Sequence, residues 1–182
     1  MNKNISYRIR PILLSAFTAV APCQVSALDF HHLHLEEDAT LNNSGHAFNH
    51  ICRDRLDGTR ARIPNELFER LERVESYFER QGWRDLEFQI VSCYRSPETN
   101  ELFRRQGRNV AKNSQHVQGN AFDFALEGTL NGLRRAVPVR DVWRVACAIT
   151  KAKGYGGVGY YPNDGFVHMD VRRDRFSDWG AS

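Results

Sequence analysis

The feature that most constrains this chain is a carboxylate set where hydrocarbon is expected. From Ala121 to Leu126 the residues read Ala-Phe-Asp-Phe-Ala-Leu, the alternation of a short strand whose successive side chains leave opposite faces. Phe122 and Phe124 share one face and Asp123 leaves by the other. An ionised Asp that is even partly buried is costly unless it is paired or bound to a metal, so a fold that takes this strand inside must bring Asp123 a partner. Phe166-Val-His-Met-Asp170 is a second alternating strand, with His168 and Asp170 on one face and Val167, Met169 and Val171 on the other. His116 lies seven residues before Asp123, at the end of a polar loop, with Gly119 between them as a turn. His116, Asp123 and His168 are all zinc-ligand types, and two His with one Asp leave a fourth tetrahedral position open, the arrangement of a catalytic site. A His-x6-Asp spacing alone also arises by chance; the two strands are what favour a site.

The chain has 182 residues, which suits one domain. Lys3, Arg8 and Arg10 precede an apolar run from Ile12 to Val20, and Val25-Ser26-Ala27 supplies small residues for cleavage, the pattern of an export signal. The run is short for a membrane span, and Pro22 fits poorly before a lipidated Cys23. The expectation is a cleaved signal over 1–27 and one domain over 28–182, soluble, exported and monomeric. Lys and Arg number 25 against 22 Asp and Glu, and the excess lies in the signal. The mature chain is balanced, so composition gives no basic surface for nucleic acid. Cys52, Cys93 and Cys147 remain after cleavage; an oxidising compartment permits one disulfide and one free thiol, and spacing does not select the pair.

Along the chain, Leu28 to Leu41 alternates loosely and predicts one or two short strands. His31, His32, His34, His46 and His50 crowd this region; they read more readily as strand and loop histidines than as a second metal site, because no Cys or carboxylate completes a known spacing. Pro64 and Gly82 bracket an amphipathic helix with Leu67, Phe68, Leu71, Val74, Tyr77 and Phe78 on one face. Leu86, Phe88 and Ile90 form a strand that delivers Ser92-Cys-Tyr-Arg-Ser96, and Ser96 caps a helix opened by Pro97. Arg95 therefore stands at a strand-to-helix junction. Leu130, Leu133 and Ala136 suggest a short helix, and Val142 to Ala152 a longer one closed by Gly154. Gly154-Tyr-Gly-Gly-Val-Gly159 matches GxGxxG, yet it follows a helix and enters a strand, the reverse of a dinucleotide-binding turn. Pro162-Asn-Asp-Gly165 is a turn joining Gly157–Tyr161 to Phe166–Val171 in a hairpin. Helices mixed with hairpins indicate an α+β domain.

Four segments in order, Ser92–Ser96, Val110–His116, Gly119–Asp123 and Gly157–Pro162 with Phe166–Asp170, resemble the zinc murein endopeptidases of the peptidase M15 group, in the periplasmic branch of the MepK (YcbK) type. The resemblance covers about half of the chain. It implies a hedgehog/D-Ala-D-Ala-peptidase-like fold, with a central antiparallel sheet and flanking helices. It further implies zinc held by His116, Asp123 and His168, with Arg95 against the scissile carbonyl of a peptidoglycan peptide. Many members carry a carboxylate or His two or three residues before the last zinc His, where this chain has Gly165 and Phe166. The general base therefore falls first to Asp170, which this branch also has, and then to Asp164. Asp170 alternatively orients the His168 ring. The expected activity is hydrolysis of stem-peptide cross-links in the periplasm. A carboxypeptidase or dipeptidase acting on D-Ala ends and a non-catalytic zinc-containing wall-binding domain are the other readings.

Overall fold

The computed structural model describes residues 27–41, 45–108 and 110–180. Apart from Ala27, the expected export signal lies outside the described residues. Two short strands, β1 (Leu28–His32) and β2 (Glu37–Leu41), precede α1 (Gly45–Ile51) and the long helix α2 (Asn65–Arg80). Then come β3 (Arg84–Ser92), α3 (Pro97–Arg105), β4 (Ala121–Leu130), β5 (Leu133–Ala136), α4 (Val139–Lys153), β6 (Tyr155–Tyr161), β7 (Phe166–Arg175) and β8 (Ser177–Trp179). The strands form one sheet in the order β2-β1-β3-β4-β7-β6-β8, with β5 paired beside β4.

The α+β class is as expected, but the sheet is mixed and not wholly antiparallel. β1 runs parallel to β3, and β8 parallel to β6. Both parallel partners reach the sheet through a connection longer than a hairpin, so their direction is not fixed by a turn. The second departure concerns Leu130 to Ala136, where the expected helix is instead a hairpin. Asn131 and Gly132 both have positive φ, 54° and 76°, as a two-residue hairpin turn of the primed type requires. Leu133 is 68 % exposed, so the apolar spacing there marks no core face, and the Asn-Gly pair was the stronger signal.

α2, α3 and α4 form where the pattern places them, whereas α1 has no such signal. α2 buries Leu67, Phe68, Leu71, Val74 and Phe78, the face its spacing defines. The Ser96 hydroxyl accepts the Thr99 amide to cap α3, with Pro97 at its first position. Gly154 closes α4 at φ 79°, a left-handed conformation that glycine adopts without a Cβ penalty. Phe30, Phe48, Phe68, Phe88, Phe122 and Phe124 meet in one aromatic cluster. Val167 and Met169 of β7 complete the same buried face, which leaves the opposite face of β4 and β7 to the polar residues. Among the described residues, no helix is long and apolar enough to cross a membrane.

Cys52 and Cys93 are joined by a disulfide, and Cys147 is free. The bridge ties the residue after α1 to the residue after β3, and the Tyr94 amide also donates to the Cys52 carbonyl. Closing a separation of 41 residues removes unfolded-state entropy worth about 4 kcal/mol. Urea unfolding of the Cys52→Ser/Cys93→Ser protein should show a loss of this order, and wild type under reductant should shift alike. Equal midpoints with and without reductant would mean that the bridge constrains nothing.

Candidate metal centre

β4 and β7 pair antiparallel with Asp123 directly opposite His168 and Ala121 opposite Asp170. This register aims the polar side chains of both strands into one space while Phe122, Phe124, Val167 and Met169 enter the core. His116 arrives from the loop before β4, and the Arg95 amide donates to its backbone carbonyl at 3.1 Å. The ligand atoms of His116, Asp123 and His168 all lie within 4.8 Å of one another. The three residues are 4 %, 8 % and 8 % exposed.

The two imidazoles are oriented in the same manner. His116 Nδ1 donates to the Cys93 carbonyl at 2.6 Å, which leaves its Nε2 facing Asp123 Oδ2 at 3.1 Å. His168 Nδ1 lies 2.7 Å from Asp123 Oδ1, and its Nε2 lies 3.1 Å from Asp170 Oδ2. Each ring thus has one nitrogen on an outer acceptor and the other turned to Asp123, the pattern by which acceptors behind a ligating His fix its tautomer. Two imidazole nitrogens and a carboxylate, buried and convergent, are a donor set suited to a divalent metal ion.

Asp170 is fully buried, and both its oxygens are engaged. Oδ1 accepts from the Gly157 amide at 2.9 Å and from the Arg172 amide at 3.1 Å, while the Arg172 guanidinium forks onto both oxygens. Gly157 and Gly159 of β6 make room for this arrangement. A Cβ at Gly157 would stand 2.5 Å from Asp170 Oδ2, and one at Gly159 would stand 2.6 Å from Trp179 Nε1. The Trp179 ring lies 5.3 Å from the His168 ring, and its indole N–H donates to the Tyr161 hydroxyl at 3.0 Å. Nothing in the spacing of the sequence identified Arg172, Trp179 or the Cys93 carbonyl. The glycines were visible, but their use is steric and depends on the register of β6 with β7.

Arg95 is buried at the junction expected for it, donating to Asn100 Oδ1 at 3.2 Å and Ser92 Oγ at 3.3 Å. It lines a cleft of about 280 Å³ together with Asp123. Asp164 is exposed in the β6–β7 turn. Among the described residues, the histidine-rich segment assembles no second cluster. His31 pairs with Asp38 at 2.6 Å, His32 is buried and its Nδ1 accepts the His34 amide, and His50 lies beside Arg53. Burial and the neighbouring His34 push His32 down to about 4, so it is neutral at physiological pH. Among the described residues, His116, Asp123 and His168 are the one group of such side chains close enough to share a metal ion.

Charge is concentrated at the centre. Burial alone would push His168 down, but hydrogen bonds to Asp123 and Asp170 hold it up at about 9. Burial would raise Asp123 and Asp170, and their partners, led by His116 for the first and His168 for the second, hold both well below the usual carboxylate range. Without metal, His168 is therefore an imidazolium between two carboxylates at neutral pH. A raised His pKa contributes stability that is complete below its ordinary 6.5 and disappears as pH climbs through about 9. Chelator-treated protein should lose a few kcal/mol of unfolding free energy across this window, and His168→Gln should flatten the profile. A profile that is unchanged by His168→Gln would contradict the assignment.

The family described as peptidoglycan L,D-endopeptidase MepK, Peptidase_M15_2, matches residues 26–177. The Escherichia coli K12 protein named peptidoglycan L,D-endopeptidase MepK is 37 % identical over 124 residues, covering 68 % of this chain and 59 % of its own length. The Haemophilus influenzae Rd protein named "Probable peptidoglycan L,D-endopeptidase MepK" is 34 % identical over 122 residues, covering 67 % of this chain and 58 % of its own. The chain thus spans a little under three fifths of the length of the curated relatives it matches. On the extent of that match and the motifs within it, the chain belongs to the Peptidase_M15_2 family of peptidoglycan L,D-endopeptidase MepK.

Proposed function

We propose that this chain is a zinc-dependent peptidase that hydrolyses peptide bonds in peptidoglycan, a murein endopeptidase acting on stem-peptide cross-links. It would act as an exported periplasmic domain over residues 28–182 with the hedgehog/D-Ala-D-Ala-peptidase-like fold. The observation that carries this reading is the pair of imidazoles, each braced from behind and turned to Asp123, in a chain of this family. The names of the relatives make an L,D bond the first to test.

In this reading His116 Nε2, Asp123 and His168 Nδ1 hold zinc, which would supply a Lewis acid and a lowered pKa for the attacking water. Arg95 lines the same cleft as Asp123 and would face the scissile carbonyl, where a permanently charged fork stabilises the developing oxyanion. Of the two roles open to Asp170, base or orienter, its contacts support the second. Both oxygens already accept from His168, Arg172 and Gly157, so it is placed to fix the His168 tautomer with Nδ1 toward the metal. Against the effect of burial, His168 and then Arg172 hold that carboxylate in its ionised form.

Muropeptide profiles of sacculi digested by the zinc-loaded protein test the reading, with the cross-linked fraction expected to fall. Profiles identical to the undigested control would overturn it. His116→Ala should lose most of its zinc by elemental analysis, and full retention would remove it from the ligand set.

Arg95 and Asp170 separate by different readouts. Arg95→Lys should keep zinc and fold while turnover falls strongly, because an ammonium does not reproduce the planar fork. Asp170→Asn should instead weaken zinc binding by about 10-fold or more. An Asp170→Asn protein with unchanged zinc affinity and turnover reduced by roughly 100-fold would restore Asp170 as the base.

A further inference from the structure

Arg55 and Arg108 stand outside the centre just described, on the wall of its cleft. With Arg95 they surround a single aromatic ring. The guanidinium carbons lie 5.1 Å (Arg55), 5.3 Å (Arg95) and 4.4 Å (Arg108) from the Phe103 centroid. A ring face attracts each cation modestly, but three like charges held this close repel one another. Burial, then the charge of Arg108, holds Arg55 below the ordinary guanidinium value, and burial with both arginines holds His34 low as well.

The carboxylates of the cleft do not answer this charge with hydrogen bonds. Asp54 Oδ1 accepts from the Leu56 amide, the Asp57 amide and the Thr99 hydroxyl, and its Oδ2 from the Ser96 amide. Asp123 is committed to His116 and His168. Arg53, the other cleft arginine, is already forked onto Glu37 at 2.7 and 2.6 Å. Among the described residues, the Arg55 and Arg108 side chains have no hydrogen bond or ion pair beyond their contact with Phe103. Both side chains line the cleft with donors that no described protein group engages, and a planar fork matches a carboxylate in two-point contact.

We propose that Arg55 and Arg108, set on Phe103 beside the metal centre, form a subsite for a free carboxylate of an acidic peptide substrate. The inference deepens the peptidase reading and rests on it for the identity of the ligand. The subsite would fix which stretch of an anionic stem peptide enters the cleft, with Arg95 left for the reacting carbonyl.

The test uses the full chain, zinc-loaded and kept cold, with a cross-linked muropeptide dimer and the same dimer with its carboxylates converted to amides. Binding is read by surface plasmon resonance, and products in parallel samples by chromatography. Wild type should bind the free-carboxylate dimer about 10-fold or more tighter than the amidated one. Arg55→Gln and Arg108→Gln should each lose about 10-fold for the first dimer and nothing for the second. Arg140→Gln, on the exposed side of α4, is the charge control and should change neither. Arg108 is exposed, so its variant remains informative if Arg55→Gln melts early. Wild-type affinity in both variants, or an equal loss in Arg140→Gln, overturns the subsite. Discrimination without any cleaved bond keeps the subsite and overturns the peptidase reading. Equal cleavage of both dimers by every protein keeps the peptidase and overturns the subsite.

Discussion

The structure depends on one cross-strand pair, Asp123 opposite His168 between β4 and β7. A one-residue slip in that ladder would exchange the faces of every side chain. Phe122, Phe124, Val167 and Met169 would then face the cleft, and a carboxylate and an imidazole would enter the aromatic cluster. Burying either uncompensated is among the costliest events available to a fold. The hydrophobic core and the polar centre therefore specify the same register from opposite faces of one sheet, and each guards the other.

Support for the centre comes from elements remote in sequence. The carbonyl that holds His116 Nδ1 belongs to Cys93, itself held by the disulfide to Cys52. The Asp170 carbonyl accepts from Arg70 at 3.2 Å, and Arg70 pairs with Glu66 on the same helix at 2.8 Å. Arg70 is fully buried, so α2 packs on the sheet with its apolar face and also reaches through the core to the backbone behind the site. Side chains braced in this way lose little entropy when a ligand arrives, which is the physical meaning of a preorganised site.

What the sequence disclosed and what it withheld divide along a physical line. Periodicity and caps are local, and they placed α2, α3, α4 and the β6–β7 hairpin. The two alternating strands also placed Asp123 and His168 on polar faces, because the pleat has period two wherever it occurs. Partner and direction of strands are not local properties, so the parallel pairs β1/β3 and β6/β8 were invisible. The Leu130–Ala136 helix fails for the opposite reason, since the Asn131-Gly132 turn within it outweighs the apolar spacing. At the site, residues that present side chains were legible, whereas a backbone carbonyl from Cys93 and the steric absence at Gly157 and Gly159 leave no pattern to read. The disulfide sits between these cases: the thiols were visible, and only tertiary proximity selects Cys52 with Cys93.

Electrostatics then explains why the centre and its rim differ in sign. Asp123 and Asp170 put two negative charges inside the sheet, and His168 with Arg172 balances them while no metal is bound. A divalent cation held by His116, Asp123 and His168 in place of the His168 proton would leave the centre more positive by one charge. Arg95 is buried beside it, and Arg55 and Arg108 lie further along the cleft. With Asp54 saturated by donors, the metal-loaded cleft would have an excess of positive charge, screened least at the buried Arg95 and more at the exposed Arg108. Neutral or cationic peptides would leave that excess uncompensated. In the proposed reading, an anionic peptide would relieve it twice, by its carboxylate at the rim and by the charge that would develop on the attacked carbonyl beside Arg95, so the field that favours its binding would also favour its reaction.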